Sequence, residues 1–384
     1  MGAFAGRARA LQASLLAASL LACGDPRRDP STSDPSASGG RFHLRYASPQ
    51  AAAHPFSRAD QIWIEHVQRA SHGRLEIEPF WSGALLSSDQ GMLELRHGVA
   101  DIGAITPIYT RGGAHLLRAQ AGFYAGARTF RSQVSVYKCL AREFPAFAHE
   151  LTGLRVLAVQ GGNLPALITR NHAVRSLRDL RSLRLRVPAE LTSILQELGV
   201  DPVSMPIGEV YSGMAKGVID GVIAPADTLR SMHLGEVARY FIALEVPRGA
   251  YPARAISERA LRRLPADLQQ LLLSSSAVWE GALEREIAAA HERGVRYAHE
   301  HRVHWLELPR AEQQRFDQHY VTGARRTARE LAQFGVQGEP ILERARALIG
   351  QLQNGATVTC DGAVSARLQP AAALAALMVT EERK

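Results

Sequence analysis

From Phe42 onward the apolar positions keep two rhythms, one of two residues and one between three and four. Phe42-His43-Leu44-Arg45-Tyr46 alternates and predicts a strand. Residues 57–73 then place Ala59, Ile62, Trp63, Val67 and Ala70 on one helical face. A second strand follows over 75–78. A helix over 89–97 stops at Gly98 and leads into a strand over 99–105, completing a β-α-β-α-β unit. A similar unit returns later, with strands over 183–187 and 202–205, helices over 189–198 and 207–216, and the apolar run after Gly217. Gly98-Val99-Ala100-Asp101 is echoed by Gly217-Val218-Ile219-Asp220, which points to two α/β lobes of related construction. Beyond Leu264-Pro265 the pattern is helical, with one long helix over 266–302 and one or two more over 310–347.

The N-terminal stretch follows neither rhythm. Arg7 and Arg9 precede Leu15-Leu16-Ala17-Ala18-Ser19-Leu20-Leu21-Ala22-Cys23. A basic start, a short apolar run and small residues before a cysteine read as a bacterial lipoprotein signal peptide over 1–22, with Cys23 as the lipidated first residue. The run is too short to span a bilayer. Residues 23–40 are rich in Pro, Ser and Gly and read as a flexible tether. The expected location is therefore the periplasm, as a membrane-anchored lipoprotein.

Composition changes this picture little. A chain of 384 residues with 46% hydrophobic content can fill two lobes. Its net charge of +8 would favour nucleic-acid partners in the cytosol. Export, and the spread of arginines along helix faces such as Arg325-Arg326-Thr327-Ala328-Arg329, set nucleic acid aside. Besides Cys23 only Cys139 and Cys360 remain, and an oxidising compartment permits a disulfide as readily as two free thiols. Neither belongs to a CxxC or a cysteine and histidine cluster, so no metal or other cofactor is expected. The chain lacks GxSxG, HExxH and GxxxxGK[ST] signatures, which argues against an enzyme. The histidines sit mostly beside charged residues and read as surface groups.

The most suggestive chemistry is Leu183-Arg184-Leu185-Arg186-Val187-Pro188. Alternation buries Leu183, Leu185 and Val187 and turns the arginines to the other face. Pro188 closes the strand. In α/β proteins the carboxyl end of a strand opens onto the ligand cleft, where the Arg186 guanidinium matches both oxygens of a carboxylate; pairing with a neighbouring acid is the alternative.

Several segments together resemble the periplasmic solute-binding proteins of TRAP transporters, the DctP-like family. They are Ser71-His72-Gly73-Arg74-Leu75-Glu76-Ile77, Phe80-Trp81-Ser82-Gly83-Ala84-Leu85, Leu93 through Ile102 with its Gly98-x-x-Asp101, and the run from Ser176 through Gly221. The resemblance implies an α/β fold of type II-like binding-protein form, two lobes with a ligand cleft between them and long connecting helices. It divides the chain into lobe I (41–160 and 246–280), lobe II with the connecting helices (161–245 and 281–354) and a C-terminal tail (355–384). It implies Arg186 as the carboxylate clamp, with Thr106, Ser48, Asp89, Trp81 and Asn163 around the ligand and TRAP permease subunits as membrane partners. Where many members have an asparagine this chain has Ala224, and where many have a second arginine it has Leu164. That suggests an organic acid with one carboxylate and a less polar body, with Arg170, Asn163 or Arg254 as compensating contacts. A receptor feeding a membrane sensor and an exported hydrolase are the alternatives.

Overall fold

The computed structural model describes residues 40–110, 112–356, 358 and 360. The expected export signal, Cys23, all of the tether but Gly40 and the tail beyond Cys360 lie outside the described residues.

The chain runs β1 (Phe42–Ala47), α1 (Pro55–Ala70), β2 (Leu75–Phe80), α2 (Gly91–His97), β3 (Ile102–Ala104), α3 (His115–Ala119), α4 (Phe130–Glu143), α5 (Ala146–Glu150) and β4 (Leu154–Gln160). It continues with β5 (Ala166–Thr169), β6 (Arg184–Arg186), α6 (Thr192–Glu197), β7 (Asp201–Val203), α7 (Val210–Ala215), β8 (Gly221–Ala224), α8 (Thr228–Ser231) and β9 (Tyr240–Ala243). The last part holds β10 (Tyr251–Ser257), α9 (Glu258–Arg262), α10 (Ala266–Ser274), α11 (Ser276–Glu300), β11 (His304–Glu307), α12 (Arg310–Glu330) and α13 (Gly338–Gln353).

These strands form two sheets, ordered β2-β1-β3-β10-β4 and β11-β9-β5-β8-β6-β7. Each sheet receives one antiparallel strand through a crossover. After β4 the chain passes to the second sheet, where β5 lies antiparallel between β8 and β9; it returns with β10, antiparallel between β3 and β4. The expected two-lobed α/β architecture is present.

Burial follows the sequence pattern. Leu44 and Tyr46 of β1 face Trp63 and Val67 of α1 in the first core, and Leu183, Leu185 and Val187 fill a second. The helix expected over 266–302 is two helices, α10 and α11, meeting at Ser275, whose hydroxyl accepts from the Trp63 indole at 2.7 Å. Both long helices span the halves. α11 places Trp279, Leu283 and Ile287 in the first core and Ala298 in a core of the second sheet, while α12 places Phe316 and Tyr320 in the second and Ala324 and Ala328 in the first. α13, grouped with lobe II on sequence grounds, buries Ile341, Ala345 and Leu348 in the first core. Cys139 of α4 and Cys360 form a disulfide, with Cα atoms 4.7 Å apart, which fastens the segment after α13 to that core. Among the described residues no helix is long and apolar enough to cross a membrane.

The internal echo has a physical basis. Asp101 accepts from the Arg45 backbone N–H at 2.9 Å, and Asp220 accepts from the Arg184 N–H at 2.8 Å. The Arg45 guanidinium reaches the Gly98 carbonyl at 3.0 Å, as that of Arg184 reaches Gly217 at 2.8 Å. Both glycines end their helices at positive φ, 79° and 70°, where a side chain is disfavoured. Each half thus ties one parallel strand, β1 or β6, to the helix end before the next strand through the same knot.

Candidate functional site

A cavity of about 120 Å³ lies where the carboxyl ends of β1, β3, β6 and β8 and both crossovers converge. This is the position at which open α/β sheets admit ligands.

Arg186 stands at the end of β6, 3% exposed, while its neighbours Leu185 and Val187 point into the core as alternation requires. Its Nε donates to the Met205 carbonyl at 3.0 Å and its Nη2 to the Tyr109 hydroxyl, with the guanidinium carbon 5.4 Å from the Tyr109 ring centre. Tyr109 belongs to the turn after β3, so this contact joins the two halves. Among the described residues no carboxylate forms an ion pair with Arg186; its partners are neutral oxygens.

Arg254 of β10 lines the same cavity in a different state. Its Nε and Nη2 reach the two oxygens of Asp60 at 2.6 and 3.0 Å, its guanidinium lies 4.6 Å from the Trp279 ring centre, and the Trp279 indole donates to Asp60 at 2.6 Å. This pair is buried and satisfied. Arg248, on the crossover before β10, has one long contact at 3.4 Å to the Asn163 carbonyl. Its guanidinium packs so closely on Gly162 that a Cβ there would fall 2.6 Å from it, a reason for glycine at that position.

Two acids share the cavity wall. Asp227 accepts from Asn163 Nδ2 at 3.1 Å, and that amide also donates to the Ile287 carbonyl at 3.0 Å. Burial pushes the Asp227 carboxyl above its ordinary range, against the opposing pull of Asn163 and Arg248. Burial likewise pushes Glu190 up, against its own backbone N–H, Arg186 and Arg248. Its Oε2 is shut off from solvent and has no hydrogen-bond partner. Burial, with Arg58 and Arg254 nearby, lowers His54 to about 4, so its ring is neutral at neutral pH. The Tyr251 phenol, pushed up to about 12 by burial, accepts from Gln160 Nε2 at 2.6 Å. Ile105, Ile108, Ile207, Ile223, Ala224, Val246 and Ile287 complete an apolar wall.

Of the residues singled out in the sequence, Arg186, Thr106 and Asn163 meet in this cavity. Ser48 is buried behind it, its hydroxyl donating at 3.2 Å to Gln50, which does line it. Trp81 packs 5.6 Å from the Tyr46 ring, and Asp89 sits half-buried before α2; neither lines the cavity. Of the three suggested compensating residues, Arg170 lies outside, Arg254 is committed to Asp60, and Asn163 is engaged with Asp227. Sequence reasoning missed Tyr109, Arg248, Glu190 and Asp227. The available signals were Pro247-Arg248-Gly249 in a crossover and Glu190 in the turn that follows the Arg186 strand. Among the described residues no group of three or more His, Cys, Asp or Glu could hold a metal.

Comparison with known proteins gives relatives in sequence and in fold. A solute-binding protein of Chromohalobacter salexigens is 24% identical over 268 residues, 68% of this chain and 73% of that protein. A monocarboxylate 2-oxoacid-binding periplasmic protein of Nostoc is 21% identical over 220 residues, 55% of this chain and 59% of that one. The crystal structure of a TRAP solute-binding protein from Rhodoferax ferrireducens, in complex with copurified benzoate, superposes with a TM-score of 0.73 at 24% identity, covering 82% of this chain and 100% of that chain. Residues 47–327 match the family model DctP, described as bacterial extracellular solute-binding protein, family 7. The chain therefore belongs to the DctP family of TRAP-type solute-binding proteins, which bind their solutes rather than transform them.

Proposed function

We propose that this protein is a lipid-anchored extracytoplasmic receptor that closes on an organic acid, holds its carboxylate on Arg186 and delivers it to a TRAP permease. One observation carries the reading: Arg186 is a buried cation at a strand end, facing a ligand-sized cavity, and bound to neutral oxygens alone. A buried guanidinium gains most from an anion that can take two of its hydrogen bonds. Tyr109 and Thr106 supply neighbouring polar contacts from lobe I, and Asn163 holds the crossover segment beside them. Ser48 supports Gln50, and Trp81 and Asp89 shape the loops outside the cavity. The apolar wall, with Ala224 in it, suits a ligand of one carboxylate and a compact, weakly polar body. The benzoate complex and the 2-oxoacid-binding relative bind acids of that kind. Lobe I comprises 41–160 and 246–280, and lobe II 161–245 with the connecting helices. The basic start, apolar run and Cys23 support anchoring at the membrane, and the family supports partnership with a permease.

The test is a thermal-shift screen of carboxylic acids, benzoate and 2-oxoacids included, against wild type and Arg186→Ala. A raised melting temperature in wild type that disappears in the variant is expected. A shift that survives the substitution rejects the clamp.

A further inference from the structure

The cavity holds more charge than one clamp requires. Three arginines and three acids border it or lie directly behind it: Arg186, Arg248 and Arg254, with Glu190, Asp227 and Asp60. Arg254 and Asp60 neutralise each other. Arg186 is left for a ligand. Arg248 is the cation that Glu190 and Asp227 both face, and neither acid forms an ion pair among the described residues.

We propose that Glu190 and Asp227 select the ligand by charge, admitting a monocarboxylate whose remaining polar groups are neutral hydroxyl or oxo groups and turning away a second carboxylate. The inference rests on the Arg186 reading. A second ligand carboxylate would enter beside two acids that outnumber the one cation they both face, and like charges in a desolvated site are strongly repulsive. A hydroxyl carries no charge, so it meets no such penalty beside the cavity-lining Glu190 and Asp227. Rejecting a wrong partner through groups that oppose it is an economical route to specificity.

A pH dependence accompanies this selection. Glu190 faces Arg186, Arg248, Tyr251 and Tyr320, while Asp227 faces Asn163, Arg248 and His291. A bound anion favours the neutral form of both acids, so the complex holds more protons than the free protein. Affinity for the monocarboxylate then falls as pH rises.

Mandelate and phenylmalonate form a matched pair, in which one skeleton carries a hydroxyl or a second carboxylate at the same carbon. Titration calorimetry at pH 6 and pH 8 on wild type, Glu190→Gln and Asp227→Asn reads both predictions. Wild type is expected to prefer mandelate at pH 8 by at least about tenfold, the low end of what like-charge juxtaposition costs. Either substitution narrows that preference several-fold and flattens the pH dependence. Benzoate and isophthalate, read the same way, provide a second pair. The wild-type preference stands as a test even if one variant fails to fold. Equal binding of both members of a pair by wild type overturns the proposal, as does full discrimination in both folded variants or no binding of any of the four acids. Binding that discriminates but is unchanged by Arg186→Ala strikes the clamp alone, leaving charge selection intact.

Discussion

The two halves of this fold begin alike and finish differently. Asp101 and Asp220 anchor β1 and β6 through equivalent hydrogen bonds to Arg45 and Arg184. Two residues further on, the first half has the buried Ala47 and the second has Arg186. The first half contributes a cation to the cavity from β10 instead, and binds it internally to Asp60 and Trp279. The second half leaves Arg186 and Glu190 without a charged partner at ion-pair distance. An arginine beside an acid holds the scaffold together; an arginine beside neutral oxygens is available to a ligand.

The strongest way to break this contrast is on the first half. Asp60→Ala strands the Arg254 guanidinium in a buried site and removes an acceptor of the Trp279 indole, so unfolding free energy is expected to drop by about 3–5 kcal/mol in chemical denaturation. A drop below about 1 kcal/mol would show that Arg254 is not committed to the scaffold. Arg186→Ala sharpens the contrast from the other side. Affinity for a carboxylate is expected to fall by about 2–5 kcal/mol in calorimetry, while denaturant stability changes far less, because no acid is left unpaired. Arg186→Lys should recover part of the loss and no more, since an ammonium cannot reproduce the planar two-bond contact.

The matched knots allow a finer comparison. Asp101→Ala and Asp220→Ala each leave a strand N–H without its carboxylate acceptor, at a cost of about 1–3 kcal/mol in denaturant melts. Asp101 also accepts from Arg263 at 2.6 Å and lies 3.6 Å from Arg45, whereas the ion-pair partner of Asp220 is a half-exposed His172 at 3.8 Å. The first substitution is expected to cost more. The reverse order would mean that the halves do not share one construction.

Much of this was legible before any coordinates. Period-two burial marked β1 and β6, the glycine stops marked both knots, and Pro188 placed Arg186 at a strand end. What stayed hidden depends on long-range neighbours. Nothing local distinguishes Arg254, which an acid 194 residues away holds fast, from Arg186, which a tyrosine 77 residues away touches. The break at Ser275 was obscured because 266–302 carries apolar residues at helical spacing throughout. Arg248 and Asp227 fall in segments with no periodicity, where pattern reading has nothing to count. The disulfide likewise joins cysteines 221 residues apart, a proximity only the packed fold determines.

The smallest expected effect is a slope. Burial holds the folded Glu190 carboxyl above its ordinary 4.5, so as pH rises past that value the unfolded chain releases its proton first. The unfolded state then binds fewer protons than the native one, and stability falls with rising pH until the folded group also ionises. Asp227 acts in the same direction. His54 acts in the opposite one: its ordinary 6.5 is lowered to about 4, so the stability it allows is present above 6.5 and lost as pH falls toward 4. Glu190→Gln removes only the first of these contributions. In thermal melts of unliganded protein between pH 4 and pH 8, the variant should gain on wild type as pH rises and match it near pH 4, while both lose stability on the acid side. A constant difference across that range would mean that Glu190 titrates as an ordinary surface carboxylate, and the second half's wall would then be as well satisfied as the first.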